Sequence, residues 1–247
     1  MSSFIQLTIA NLKSYVREPV AAFFTLAFPP MLLVLFGFIF GNTPQAEFGG
    51  RGSMDVSLPA YVGIIIVTVG LISIPIGASG ERERGILRRY RATPLRPLTY
   101  IGAHLLTYFV MAAAGAILLV IVGELLYKVR FDGNVASVIA GFTLSSISFF
   151  ALGYVVGGLA PTARAAQLVG MVLAYPMMFL SGATLPLEIL PENVRLVANF
   201  IPLTHVVTLL RGLWAGDGLL AHGTELVVLG IMLVVAGAVS ARLFRWE

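Results

Sequence analysis

The sequence predicts an all-α integral membrane protein with six transmembrane helices, and three observations predict it. Hydrophobic residues make up 58% of the 247 residues and charged residues only 11%, against about a quarter charged in a soluble domain. Mean hydropathy is +0.92. Six apolar runs separated by Gly, Pro and charged residues each reach the roughly 20 residues that a hydrocarbon core of about 30 Å requires. Six spans use most of the chain and leave no room for a large soluble domain.

Each element has a local reason. Residues 2–18 place Ile5, Ile9, Leu12 and Val16 on one helical face and Gln6, Lys13 and Arg17 on the other, the pattern of an amphipathic helix lying in the interface. Pro19 turns the chain into a first span at 20–40, where Pro29-Pro30 predict a kink. That run exceeds the apolar core of a signal peptide and no A-x-A site follows, so it is read as retained. Residues 41–58, with Pro44, Gly49, Gly50 and Gly52, read as a loop. The further spans are expected at 59–79, 98–123, 135–160, 166–185 and 224–241. Between the last two, residues 186–223 hold apolar runs too short to span, broken by Pro186, Pro191 and Pro202 and carrying Glu188, Glu192, Arg195, His205 and Arg211. A helical pair that dips into the membrane and returns fits this pattern, and so does a hairpin lying on the surface.

Basic residues set the orientation. Lys13, Arg17, Arg82, Arg84, Arg88, Arg89, Arg91, Arg96, Arg164, Arg242 and Arg245 fall on one side; Arg51, Lys128, Arg130, Arg195 and Arg211 fall on the other. The positive-inside rule then puts both termini in the cytoplasm of a cell (inner) membrane protein. The net charge of +4 is mostly membrane-flanking, so no nucleic-acid partner is expected.

Residues 81–97, ERERGILRRYRATPLRP, concentrate six of the sixteen basic side chains between two apolar runs. Glu81 and Glu83 suit the N-terminus of a short helix outside the membrane, which Pro94 and Pro97 would end. Ile86, Leu87 and Tyr90 would share one face, and Arg84, Arg88 and Arg91 another. On these residues alone the segment is either a topogenic loop whose arginines meet anionic lipid or a helix with a docking face.

Catalytic and metal chemistry find little support. Without cysteine there are no thiolate ligands or nucleophiles, the three histidines are scattered, and no metal site is expected. The two lysines, Lys13 and Lys128, follow no P-loop pattern, so ATP hydrolysis by that route is not expected of this chain. Gly77-Ala78-Ser79-Gly80 and Ala221-His222 resemble pieces of rhomboid intramembrane serine proteases. The predicted topology, however, puts Ser79 and His222 at opposite faces, about 30 Å apart, whereas a nucleophile and its base must lie within about 3.2 Å. No Asp, Glu, Lys or Arg is expected at the centre of a span, which argues against ion-coupled transport. His104 reads as a packed or interfacial histidine. In the fourth span Gly153 and Gly157 suit close helix packing; Ser146, Phe150 and Tyr154 there, with Tyr175, Met178 and Phe179 in the fifth, are the candidates for a substrate-lining face.

Two stretches carry a resemblance to a known family. Glu81-Arg82-Glu83-Arg84-Gly85 continuing to Arg91-Ala92-Thr93-Pro94-Leu95, and Phe179-Leu180-Ser181-Gly182 with Pro186, Pro191, Pro202-Leu203-Thr204-His205 and Arg211-Gly212, resemble the type-two permease subunits of ATP-binding-cassette exporters. The look is nearest to daunorubicin-resistance-type permeases, and polysaccharide and teichoic-acid permeases share the layout. The resemblance implies that 81–97 is a coupling helix seated in a groove of a cytoplasmic ATPase, through Glu81, Arg82, Glu83, Gly85, Leu87, Arg88, Tyr90, Arg91, Thr93 and Pro94. It implies a re-entrant outer gate with Pro186, Pro191, Pro202, Thr204, His205 and Arg211. It further implies a second permease copy, identical or not, two ATPase copies, and ATP and magnesium held by those ATPases rather than by this chain.

Overall fold

The computed structural model describes residues 3–86, 97–189 and 191–243. Among them every regular element is helical, apart from a single bridge between Gln45 and Arg51. Six helices are long and apolar enough to cross a membrane: Pro19–Phe40, Ser53–Glu83, Thr99–Tyr127, Val135–Leu159, Ala163–Leu180 and Leu219–Leu243. This is an all-α membrane protein.

The second span is the axis of the bundle. Its apolar window is 78% buried, whereas the other five range from 11% to 33%. Met54, Leu58, Ile64, Ile65, Ile66, Leu71 and Ile74 have no exposed surface, and the spans around it leave apolar outward faces exposed. The sixth span packs on the fourth, while the third and fourth meet sparingly. They leave an apolar cavity of about 490 Å³ walled by Phe109, Phe142 and Trp214.

Helix ends differ from the expected boundaries for identifiable reasons. The second span begins at Ser53, inside the expected loop, because Asp55 accepts the Gly52 amide at 2.9 Å and so caps the first turn. It continues through Gly80, which is buried within the helix. The fifth stops at Leu180, five residues early, at the left-handed Gly182 with φ +82°. The kink expected at Pro29-Pro30 takes the form of a π-turn over Phe23–Ala27, and a second π-turn spans Val69–Ser73 just before Pro75.

The helix Ser3–Arg17 packs along the third span. Thr8 and Tyr15 are buried on its inner side, while Ile5, Ile9 and Val16 face outward. That division suits a helix held between protein and lipid.

Candidate coupling junction and outer segment

The helix of the second span carries straight on into the charged stretch. Glu81, Arg82 and Glu83 form its last turn instead of the first turn of a new helix. The Gly85 amide then bonds the Arg82 carbonyl at 3.0 Å with Gly85 at φ +66°, a left-handed stop that glycine adopts without a Cβ penalty. Leu87, Arg88, Tyr90, Arg91, Thr93 and Pro94 lie outside the described residues.

This last turn is a junction between spans. Arg82 donates to the carbonyls of Gly158 (3.1 Å) and Ala160, at the C-terminal end of the fourth span. Glu83 Oε2 accepts the amide of Ala163 at 3.0 Å, at the N-terminal end of the fifth. A cation thus meets the negative end of one helix and an anion the positive end of the next. Ser79 donates to the Gly157 carbonyl at 3.1 Å, and Glu81 holds the third span by accepting from the Tyr100 hydroxyl, with His104 Nε2 3.4 Å away. Sequence reasoning gave Glu83 an external partner and missed this internal one; the signal was the short turn Pro161–Thr162 between two long helices, whose ends need caps.

The segment before the sixth span is a sharply broken helical pair. Glu192–Ala198 and Pro202–Ala215 are bent by 97° to one another. Pro191 and Pro202 sit at the two helix starts, where a missing N–H costs nothing. His205 Nε2 lies 3.1 Å from the Asn199 carbonyl across the break, and Thr204 is buried beneath it. The second helix of the pair packs on the second span, where Gly63 admits Val207 at 3.3 Å from a built Cβ. Pro186 lines a cavity of about 140 Å³ with Phe36, Phe40, Phe48 and Tyr61. Arg211 is engaged within the protein.

Polar side chains lock the helix ends on this side of the bundle together. Asp55 accepts from Asn42 Nδ2 and from the Arg130 amide, both at 2.9 Å. Arg51 Nη2 reaches Asp132 at 2.8 Å and the Ala215 carbonyl at 2.9 Å, while Trp214 Nε1 donates to the Arg130 carbonyl at 2.9 Å. The loop after the first span, the connection before the fourth and the end of the outer pair are therefore one clasp.

The remaining candidates separate into two environments. Ser146 and Phe150 are fully buried, Met178 is buried, and Tyr154 lines a cavity of about 290 Å³ beside Arg82 and Ser240. Tyr175 and Phe179 instead face outward from the fifth span. Ser79 is fully buried with its hydroxyl on a carbonyl, and His222 stands between Asp217 (3.3 Å) and Glu225 (3.8 Å), so neither is the other's partner. Among the described residues no His, Asp and Glu cluster has the form of a metal site.

Comparison with known proteins agrees with this architecture. Residues 2–214 match the family model of the ABC-2 type transporter. Nodulation protein J of Rhizobium leguminosarum bv. viciae is 34% identical over 102 residues, 41% of this chain and 39% of that protein. The daunorubicin resistance ABC transporter permease protein DrrB1 of Streptomyces coeruleorubidus is 24% identical over 92% of this chain and 80% of its own length. The inner membrane transport permease YhhJ of Escherichia coli is 26% identical over 65% of this chain, which spans 45% of that relative. The charged junction at 81–85, the six apolar helices and the pair bent by 97° all lie on a chain that belongs to the ABC-2 type transporter family.

Proposed function

We propose that this chain is the membrane permease subunit of an ATP-binding-cassette exporter, moving a drug-like, lipid or other amphiphilic substrate outward. Two permease copies work with two copies of a cytoplasmic ATPase that binds ATP and magnesium. Both termini and residues 81–97 are cytoplasmic in a cell membrane, and the chemistry belongs to the ATPase. The observation that carries this reading is the last turn of the second span, where Glu81, Arg82 and Glu83 bond the third, fourth and fifth spans. A push on the adjoining 84–97 segment would reach all four helices at once.

The outward face of the fifth span supports a path at the contact between two copies. Tyr175 is 39% exposed there, and Pro176 leaves the Val172 carbonyl without its helical donor on a residue that is 70% exposed. Polar groups facing hydrocarbon are costly, so this face is covered by a second copy or lines a polar route. Tyr175 and Phe179 are then the substrate-contacting side chains, and the broken outer pair with Pro186, Pro191, Pro202, Thr204, His205 and Arg211 is the outer gate.

The test is co-purification. The full chain, expressed with candidate cassette ATPases, should retain one through detergent extraction and raise its ATP turnover when amphiphiles are added. A chain that retains none of them, or turnover indifferent to amphiphiles, refutes the proposal. Stimulation by glycans alone would move the substrate to the polysaccharide class.

A further inference from the structure

The first and second spans are broken in the same way, by proline. A π-turn arises where an N–H bonds five residues back instead of four. The Phe28 amide bonds the Phe23 carbonyl, and the Ile74 amide bonds that of Val69. Pro29, Pro30 and Pro75 follow at once and have no N–H. Thr25 O would need Pro29 or Pro30 as donor, and Gly70 O is left with only Pro75 once Ile74 has turned to Val69. Both carbonyls therefore lack a helical partner in the middle of a membrane protein, where an unpaired backbone group is costly.

Glycines on three neighbouring spans lie against the carbonyls of the two turns. A Cβ on Gly115 would sit 2.6 Å from Thr25 O, one on Gly153 would collide with Gly70 O, and one on Gly170 with Leu71 O, whose α-helical donor would also be Pro75. The Cα–H groups of these glycines supply weak donors where no N–H exists. Such contacts have no interlocking side chain, and a ladder already interrupted bends at low cost.

A single hydroxyl joins the two turns. Tyr15 Oη lies 2.7 Å from Thr25 Oγ1, in the first turn, and 3.1 Å from Ser73 Oγ, at the end of the second. Burial pushes the Tyr15 phenol up from its ordinary value, so it stays protonated and able to donate. Its ring stands edge-on to Tyr108 with centroids 5.9 Å apart, which fixes where the hydroxyl points.

We propose that Tyr15 is a positioning residue whose hydroxyl latches the two π-turns, and that the cytoplasmic half of the second span, Ile74–Glu83, pivots at this latch. The half that moves carries Ser79, Glu81, Arg82 and Glu83, and with them the holds on the third, fourth and fifth spans. The interfacial helix is thereby the element that sets the resting angle of the coupling junction. The use of this pivot in transport rests on the exporter reading; the latch itself does not.

The test uses the full chain in nanodiscs, with paired spin labels on cysteines at Arg84, below the pivot, and Val135, at the outer end of the fourth span. The protein has no native cysteine, and dilution with unlabelled copies restricts the distances to one chain. Tyr15→Phe keeps the ring and removes the hydroxyl. It should raise the weight of a second distance population about five- to tenfold, the effect of losing one hydrogen bond, and Ser73→Ala should do the same. A control pair at Thr43 and Val135 should not change. Pro75→Ala restores an N–H, and should narrow the Arg84 distribution and lower ATP turnover by the co-purified ATPase severalfold. An unchanged Arg84 distribution in Tyr15→Phe overturns the latch, and so does equal broadening of the control pair, which would make Tyr15 ordinary packing. Wild-type turnover in Pro75→Ala with a narrowed distribution overturns the pivot. Should no ATPase co-purify, the exporter reading fails while the distances still decide the latch.

Discussion

Glu83 and Ala163 are joined across eighty residues of chain: a carboxylate oxygen at the end of the second span accepts the backbone amide that opens the fifth, at 3.0 Å. A carboxylate at a helix start satisfies an otherwise orphaned N–H and meets the positive end of the dipole. Its neighbour Arg82 does the converse for the fourth span. The charged pair therefore measures the distance between two helix ends.

Glu83→Gln keeps an acceptor and should cost little. Glu83→Ala should lower stability by about 0.5–2 kcal/mol, the worth of a helix cap, and Glu83→Arg should do more by placing a cation on the positive end. Thermal unfolding in detergent ranks the three. Substrate-stimulated ATP turnover should follow the same order. Turnover abolished in Glu83→Gln with stability intact would instead place this carboxylate in the ATPase groove.

Cysteine labelling checks orientation. Thr43→Cys and Asn193→Cys, both exposed, should react with an impermeant thiol reagent from outside intact cells, and Arg164→Cys should not. Labelling of Arg164→Cys before lysis would invert the topology and end the exporter reading.

The clasp around Asp55 gives a stability prediction. Asp55 is buried and accepts from the Gly52 amide, Asn42 Nδ2 and the Arg130 amide. Asp55→Ala strands three donors and should cost about 2–4 kcal/mol, whereas one hydrogen bond lost at an exposed site costs about 1. Denaturant or thermal unfolding measures the difference. A loss below about 1 kcal/mol would mean that water replaces the carboxylate.

Ser79→Ala separates pump from protease. The hydroxyl only donates to the Gly157 carbonyl, so its removal should cost about 1 kcal/mol and leave turnover within about twofold of wild type. Cleavage of a membrane substrate by the purified chain, lost in Ser79→Ala, would overturn the assignment.

Spans were legible because hydrocarbon imposes one length and one composition on every crossing helix, and the breaks read at Pro191 and Pro202 fall where the two helices of the bent pair begin. Boundaries were less so. The second span gained Ser53–Leu58 because Asp55 caps it from inside the helix, an arrangement that a Gly-rich approach to the helix conceals. Tyr15 drew no notice as a site, since one aromatic among apolar residues of an amphipathic helix carries no motif. Pro75 drew none either; its effect is legible only alongside the Ile74–Val69 hydrogen bond.

The sequence by itself determined the membrane class, the six long apolar helices, the charge asymmetry and the two family-like stretches, because these follow from composition and local pattern against a uniform solvent. Tertiary structure alone decided what the charged residues and the orphaned carbonyls hold. Glu83 meets Ala163, Arg82 meets Gly158, and Gly153 meets the Gly70 carbonyl only when helices distant in sequence are packed side by side. A cap or a socket is a relation between two surfaces, and neither surface encodes the other's position along the chain.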